Sequence, residues 1–306
     1  MASPRVALGP DHASFATDAI ADGGGTLVGI DEHPDALVWL DPRAVQALID
    51  QVSSAPSLRW VQLPFAGVEN VVASGLLDHD HLWTCAKGSY AESVAEHALT
   101  LSLAGLRHLR TRISARSWGE AAGTSLYDQK VTILGGGGIT TKLLEQLAPF
   151  RVEATVVRRK ADSMPGAART VSVEALDEVL PGSLVVYLAL ALTPETTRII
   201  GARQLDLMDK TAWLVNVARG GHVDTGALVA ALGAGSIAGA ALDVTDPEPL
   251  PDGHPLWELP NCIITPHSAD TIEMIRPLLA ERIRTNVARF AVGEELAGIV
   301  DPDAGY

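Results

Sequence analysis

The sequence predicts an α/β protein whose main part is a doubly wound parallel sheet. From about residue 130 to 267, short apolar runs rich in β-branched residues alternate with amphipathic stretches, the pattern of βα units laid side by side. The first 90 residues show a weaker version of the same alternation. At 306 residues the chain is long enough for two domains of roughly 100 to 200 residues each.

Taken in order, RVAL, TLVGI, ALVWL, RWVQL and HLWTC read as strands of a smaller α/β domain, with a helix from Arg43 to Val52. A long helical pattern follows from Glu92 to Arg116, in which Val94, Ala98, Leu101, Leu106, Leu109 and Ile113 loosely keep helical spacing. Six strands are then expected: 131–134, 152–157, 183–190, 212–217, 237–244 and 262–265, enough for a full dinucleotide fold. Between them lie helical segments such as ITTKLLEQLAPF and TGALVAALGAG, the second ending in glycine as a helix C-terminus does. The stretch after His267, TIEMIRPLLAERIRTNVARFAVG, is helical and has no strand of its own to serve.

Composition excludes several functions. The net charge of −14 repels nucleic-acid backbones and anionic headgroups, so neither nucleic acid nor a membrane surface is an expected partner. The longest apolar run, 184–192, is less than half of the about 20 residues a membrane-spanning helix needs. The N-terminus lacks the apolar region of a secretion signal, and the expectation is a cytoplasmic protein. Cys85 and Cys262 are too few for a disulfide framework and read as packed apolar residues.

Gly135 to Thr140 (GGGGIT) follows a β-branched strand and opens a helix. There a glycine turn lets backbone N–H groups and a helix N-terminus hold a pyrophosphate, although a turn without ligand is the competing reading. Gly135 and Gly137 match G-x-G-x-x-G, while Thr140 replaces the third glycine. The next strand ends in Arg158-Arg159-Lys160, where an NAD site carries an acid about 20 residues on. Cations at that point pair with a 2′-phosphate, which favours NADP; a solvated basic turn is the alternative.

Arg219, Asp243, Glu248 and His267 follow the later strands and converge on the carboxyl edge of the sheet, where open α/β sheets bind ligands. A guanidinium grips a carboxylate with two hydrogen bonds, and a histidine moves protons near neutral pH when a carboxylate favours its charged form. A 2-oxoacid reductase needs these parts. Each also has a plainer reading: Arg219 as a loop ion pair, Glu248 as an exposed turn acid, His267 as a helix cap. Asp78-His79-Asp80-His81 reads as a solvated turn, so no metal is expected, and His254 follows no strand and reads as structural. The tryptophans at 39, 60, 83, 118, 213 and 257 are expected in cores or at the interface between domains.

Three longer segments carry a resemblance. NVARGGHVDTGALVAAL (216–232), ALDVTDPEPLPDGHPLWELPN (241–261) and ITPHSA (264–269) resemble the arginine, glutamate and histidine motifs of the NAD(P)-dependent D-isomer-specific 2-hydroxyacid dehydrogenases, in the family's order. The likeness runs from about residue 58 to 290 and takes in LPFAGVENV (63–71) and SVAEHAL (93–99). It implies a Rossmann nucleotide domain, 95–270, inserted into a smaller flavodoxin-like α/β substrate domain made of 1–94 plus 271–306. It implies that Arg219 binds the substrate carboxylate and polarises the carbonyl, that His267 is the acid/base, and that Glu248 pairs with His267 and favours its charged form. Cofactor contacts then fall on Gly135, Gly137, Gly138, Ile139, Arg158, Arg159, Thr193 and Ala218, with Asp243 accepting from the nicotinamide amide. Phe65, Ala66 and Gly67 offer backbone N–H groups to the substrate carboxylate, and domain closure excludes water. Arg158 stands where NAD-using members carry the ribose-binding acid, so the expected cofactor is NADP, with NAD as the alternative. The family also implies a homodimer paired through the nucleotide domain. Thr140 and Ala191, the latter replacing a usual proline, depart from its pattern.

The expected function is therefore hydride transfer between NADP(H) and a small 2-oxoacid or D-2-hydroxyacid, on a glyoxylate- or hydroxypyruvate-like substrate. The alternative is a nucleotide-sensing, corepressor-like binding protein on the same fold, against which the complete Arg219, Glu248 and His267 set argues. An amino-acid dehydrogenase is disfavoured, because among Lys130, Lys142, Lys160 and Lys210 only Lys160 stands at a strand end.

Overall fold

The structure is a computed structural model that describes residues 3–304. The chain divides into two compact units, one formed by the described residues up to Tyr90 and from Thr271 on, the other by Ala91–Asp270.

The first unit begins with β1 (Arg5–Gly9), α1 (Ser14–Asp22), β2 (Thr26–Leu27), β3 (Ala36–Trp39), α2 (Val45–Ser54), β4 (Trp60–Gln62), α3 (Glu69–Ala73) and β5 (Leu82–Thr84). Its strands form one parallel sheet in the order β2-β1-β3-β4-β5, the flavodoxin-like order. Leu37, Trp39, Trp60, Val61 and Trp83 lie buried in it, which explains why these short strands read as apolar runs.

The second unit holds α4 (Ala91–Leu106), α5 (Leu109–Ser114), β6 (Lys130–Leu134), α6 (Gly138–Leu147), β7 (Glu153–Val157), β8 (Arg169–Val171) and α7 (Leu176–Val179). It continues with β9 (Val185–Leu188), α8 (Ala202–Leu207), β10 (Trp213–Asn216), α9 (Thr225–Ala234), β11 (Gly239–Leu242), α10 (Pro255–Glu258) and β12 (Cys262–Ile264). The seven strands are parallel in the order β12-β11-β10-β9-β6-β7-β8. Strand order reverses between β6 and β9, the switch point at whose carboxyl side such sheets bind nucleotides. The central strands β9, β10 and β11 are buried throughout.

α11 (Ile272–Val292) returns to the first unit, packs on α1 and buries Ile275, Leu279, Ile283 and Val287, each four residues apart. Helix ends follow local chemistry. Asp224 caps α9 by accepting from the Ala227 N–H at 2.9 Å, and Gly235 ends it in the left-handed conformation that glycine tolerates.

Four expectations are corrected. The helix expected from Glu92 to Arg116 breaks at His108 (φ 52) into α4 and α5, because Leu109 and Ile113 carry the apolar spacing onto an exposed face. The sheet has a seventh strand, β8, a three-residue edge strand in which only Val171 is buried. TLVGI contributes only two strand residues, Thr26 and Leu27. Trp118 is 99% exposed, and Trp257 is partly exposed with its indole N–H donating to the Pro251 carbonyl at 3.0 Å.

Among the described residues no helix is long and apolar enough to cross a membrane, and no group of three or more His, Cys, Asp or Glu side chains could hold a metal ion. Asp78 instead closes a turn, accepting from the backbone N–H groups of Asp80 and His81, from the His81 ring and from the Trp83 indole. Cys85 and Cys262 are both buried.

Candidate active site

At the switch point, β6 delivers the chain into Gly135, whose φ of 113° and whose contact with the Ala189 carbonyl leave no room for a Cβ. A Cβ on Gly136 would fall 2.8 Å from Arg158 Cδ, so the Arg158 side chain lies against the glycine turn. Gly137 is the N-cap of α6, with Gly138 and Ile139 in its first turn, and the N–H groups of that turn have no partners within the helix. Thr140 is fully buried and donates its hydroxyl to the Gly135 carbonyl at 3.0 Å. Its departure from glycine is thus absorbed by a hydrogen bond that ties helix to turn.

After β9, the Thr193 N–H donates to Thr196 Oγ1 at 2.8 Å and the Thr193 hydroxyl to Glu195 Oε2 at 2.8 Å. Thr196 also donates to the Ala191 carbonyl at 2.8 Å, a bond that shapes this segment without the proline. The ring nitrogens of the buried His222 lie 3.0 Å and 3.2 Å from the carbonyls of Thr196 and Leu190, joining the segment to the turn beyond Arg219.

β10 ends at Asn216, whose amide donates to the Arg219 carbonyl at 2.9 Å and whose Oδ1 accepts from the Ala218 N–H at 3.0 Å. This clamp shapes the turn that carries Arg219. A Cβ on Gly220 would collide with the Thr245 carbonyl, so the next residue must be glycine for the turn to approach the β11 loop. Arg219 Nη1 donates to the Ala218 carbonyl at 2.7 Å.

His267 Nδ1 lies 2.7 Å from Glu248 Oε1, with side chains 44% and 41% exposed. Below them Asp243, 2% exposed, accepts from Thr265 Oγ1 at 2.5 Å and from the backbone N–H groups of Ser268 at 2.9 Å and Ala269 at 3.0 Å. His97 Nε2 is 3.2 Å away from the same carboxylate. Burial pushes the Asp243 carboxyl up, but the donors from His97, Thr265, Ser268 and Ala269 outweigh it and bring it down to about 2. Oδ1 is crowded by Thr265, Ser268 and His97, whereas Oδ2 receives Ala269 and keeps capacity for another donor. Asp270 follows: burial raises its carboxyl, the charges of His267 and Arg219 lower it, and that of Asp243 raises it. Arg219, Asp243, Glu248 and His267 thus follow β10, β11 and β12 at the carboxyl edge of one sheet, as their spacing from the strands suggests.

Phe65, Ala66 and Gly67 belong to the first unit, after β4. There the Tyr90 hydroxyl donates to the Pro64 carbonyl at 2.7 Å, the Ala86 N–H donates to the Phe65 carbonyl at 3.1 Å, and the Phe65 and Tyr90 rings meet edge to face. His254 caps α10 by accepting from the Leu256 N–H at 3.3 Å.

Sequence reasoning missed Asn216, His97, His222 and Asp270. A polar residue ending an otherwise apolar strand was a signal for Asn216, and a histidine within the apolar pattern of α4 was one for His97.

Residues 97–269, more than half of the chain, match the NAD binding domain of D-isomer specific 2-hydroxyacid dehydrogenases. The chain belongs to the D-isomer specific 2-hydroxyacid dehydrogenase family. Among curated relatives of this dehydrogenase is an uncharacterized protein in the proB 3′ region of Corynebacterium melassecola, 44% identical over 96% of this chain and 98% of that one. Another is a glyoxylate reductase of Aeropyrum pernix, 32% identical over 90% of this chain and 85% of that one. Among solved structures, a D-isomer specific 2-hydroxyacid dehydrogenase from Xanthobacter autotrophicus Py2 in complex with NADPH and MES is 29% identical, with a TM-score of 0.86 and complete coverage of both chains. The family is one of oxidoreductases, and the two parallel sheets agree with its nucleotide-binding fold.

Proposed function

We propose that this dehydrogenase is an NADP-dependent reductase of a small 2-oxoacid, with glyoxylate or hydroxypyruvate as the substrate class and the D-2-hydroxyacid as product. The observation that carries the reading is the 2.7 Å pair of Glu248 and His267 on the sheet edge that also bears Arg219. The named glyoxylate reductase relative and the NADPH-bound homologue point the same way. The nucleotide-sensing alternative is not favoured, since a binding module needs no such pair.

The glycine turn and Arg158 fit the cofactor. The turn leaves helix N–H groups for phosphates, the basic side chain against it suits a 2′-phosphate, and Asp243 Oδ2 can still accept the nicotinamide amide. Gly135, Gly137, Gly138, Ile139, Arg158, Arg159, Thr193, Ala218 and Asp243 would hold it. NADPH, when bound, supplies the hydride. Arg219 grips the substrate carboxylate and draws density from the carbonyl. His267 donates a proton to the carbonyl oxygen as the alkoxide forms, while the Glu248 carboxylate, 2.7 Å from its Nδ1, orients its ring. Phe65, Ala66 and Gly67 offer backbone N–H groups to the substrate carboxylate, the substrate domain being 1–94 plus 271–306 and the dinucleotide domain 95–270.

The same proposal includes a cytoplasmic homodimer. Two buried, unpaired cysteines suit a reducing compartment, and Leu109, Ile113 and Trp118 expose apolar surface on the nucleotide-binding unit that a second copy can cover.

NADPH and NADH oxidation by the purified protein against glyoxylate, hydroxypyruvate, pyruvate and phenylpyruvate tests the reading, with Arg219→Ala as control. Turnover with NADPH above NADH, lost in Arg219→Ala while NADPH still binds, is the expected result. Turnover retained in Arg219→Ala overturns the role assignment.

A further inference from the structure

We propose that His97, on α4 and outside the Arg219, Glu248 and His267 set, is a positioning residue that holds the loop presenting His267. The inference rests on the reading of His267 as proton donor.

His267 has a φ of 50°, in the left-handed region. A residue with a Cβ is strained in that conformation and keeps it only where its surroundings over-determine it. Here the constraint is visible on both sides of the residue. The His267 N–H points to the carbonyls of Asp243 at 2.8 Å and Thr265 at 3.0 Å. The Asp243 carboxylate then binds Thr265 ahead of His267 and Ser268 and Ala269 behind it. One buried carboxylate therefore holds a hydroxyl ahead of the proton donor and two backbone N–H groups behind it.

A buried carboxylate keeps its charge and its orientation only while donors satisfy it. The donors from Thr265, Ser268 and Ala269 all ride on the loop itself, so they would move with it. His97 does not. It sits on α4, which packs against β10 and β11, and its Nε2 lies 3.0 Å from Thr265 Oγ1 and 3.2 Å from Asp243 Oδ1. Thr265 has one hydroxyl proton, and Oγ1 donates it to Asp243 Oδ1 at 2.5 Å, so its oxygen accepts from His97. The His97 Nε2–H is thus shared between Thr265 Oγ1 and Asp243 Oδ1 while the Thr265 hydroxyl donates to Asp243, which sets the His97 tautomer and locks the carboxylate to the helix rather than to the loop alone.

The test compares His97→Phe, which removes the donor, with His97→Gln, whose amide places one at a similar reach. NADPH oxidation with glyoxylate is followed in water and in deuterium oxide. In His97→Phe, kcat is expected to fall about 10- to 100-fold, as misplacement of a reacting group does, with little change in the glyoxylate KM. The solvent isotope effect on kcat should rise as proton delivery by His267 becomes limiting. His97→Gln should restore most of kcat and the original isotope effect. Wild-type turnover in His97→Phe overturns the proposal, as does an equal loss in Phe and Gln with the isotope effect unmoved, which marks a packing role. If His97→Phe fails to fold, Thr265→Val removes the relay hydroxyl from the loop side and is expected to reproduce the kinetic loss; wild-type kinetics there overturn the proposal equally. If the wild-type protein reduces no 2-oxoacid, the functional reading falls, and the positioning claim is read from amide hydrogen exchange at Ser268 and Ala269. Faster exchange in His97→Phe upholds it, and unchanged exchange overturns it.

Discussion

Glu248 and His267 stand 19 residues apart in the chain, follow different strands, and meet at 2.7 Å between Oε1 and Nδ1. Both side chains are more than 40% exposed. An ion pair in that setting contributes 0 to about 1 kcal/mol to the fold, because water screens it and two side chains lose freedom. Its consequence lies in chemistry instead.

The first prediction separates the two effects. Glu248→Gln should leave urea stability within about 0.5 kcal/mol of wild type, as surface substitutions do. It should lower kcat for 2-oxoacid reduction by on the order of 10²-fold, the lower end of what a positioned acid or base supplies. Paired urea melts and steady-state kinetics decide. A variant that loses stability but keeps kcat would make the pair structural.

Cofactor preference should reside in Arg158. Its side chain lies against Gly136, and a charge-assisted hydrogen bond to a phosphate contributes about 1.5 to 3 kcal/mol, or roughly 10- to 100-fold in affinity. Arg158→Ser is expected to weaken NADPH by that factor and leave NADH nearly unchanged, measured by fluorescence titration. Equal losses for both nucleotides would assign the residue to the shape of the turn rather than to the 2′-phosphate.

The parts of this site legible in the sequence are those whose position follows from a strand end. Arg219, Asp243 and His267 come just after short, mainly apolar runs, and a parallel sheet aligns all such points on one edge. His97 was not legible in this way, since its bond to Thr265 spans 168 residues and depends on how α4 packs against the sheet. Asn216 was passed over because its amide acts within its own turn, where sequence alone does not reveal the bond. The edge strand β8 buries one valine and thus lacks the apolar signature that marked the central strands. Trp118 shows the same limit from the other side: a large aromatic ring suggests a core, and only the fold shows it 99% exposed.

Asp270 should cost the fold stability at neutral pH. Burial raises its carboxyl despite the charges of His267 and Arg219, so the folded state holds the ionised form less well than the unfolded chain does. For a raised carboxyl the penalty is felt above the unfolded value and vanishes at pH low enough to protonate the group in both states. Asp270→Asn is therefore expected to raise Tm at pH 7 to 8, with the gain shrinking as pH falls through the carboxylate range. A variant destabilised equally at both ends would show that Asp270 is held by bonds that asparagine cannot make.

Asp243 should behave in the opposite sense. Its carboxyl falls from 3.8 to about 2, because four donors outweigh the burial that pushes it up. A depressed carboxyl contributes stability that is fully present above the unfolded value and is lost as pH falls through the folded one. The window is thus about pH 4 down to 2, and a lowering to about 2 corresponds to about 2 kcal/mol. Other carboxylates titrate in the same range, so the informative quantity is the difference between wild type and Asp243→Asn in urea melts from pH 6 to 2. Asparagine has one acceptor oxygen where the carboxylate has two, and its amide would face a donor, Ser268 or Ala269, that needs an acceptor. The variant should therefore be less stable at pH 6, and the gap should narrow by about 2 kcal/mol as the wild type protonates. Parallel curves would mean that Asp243 does not anchor the His267 loop through its charge.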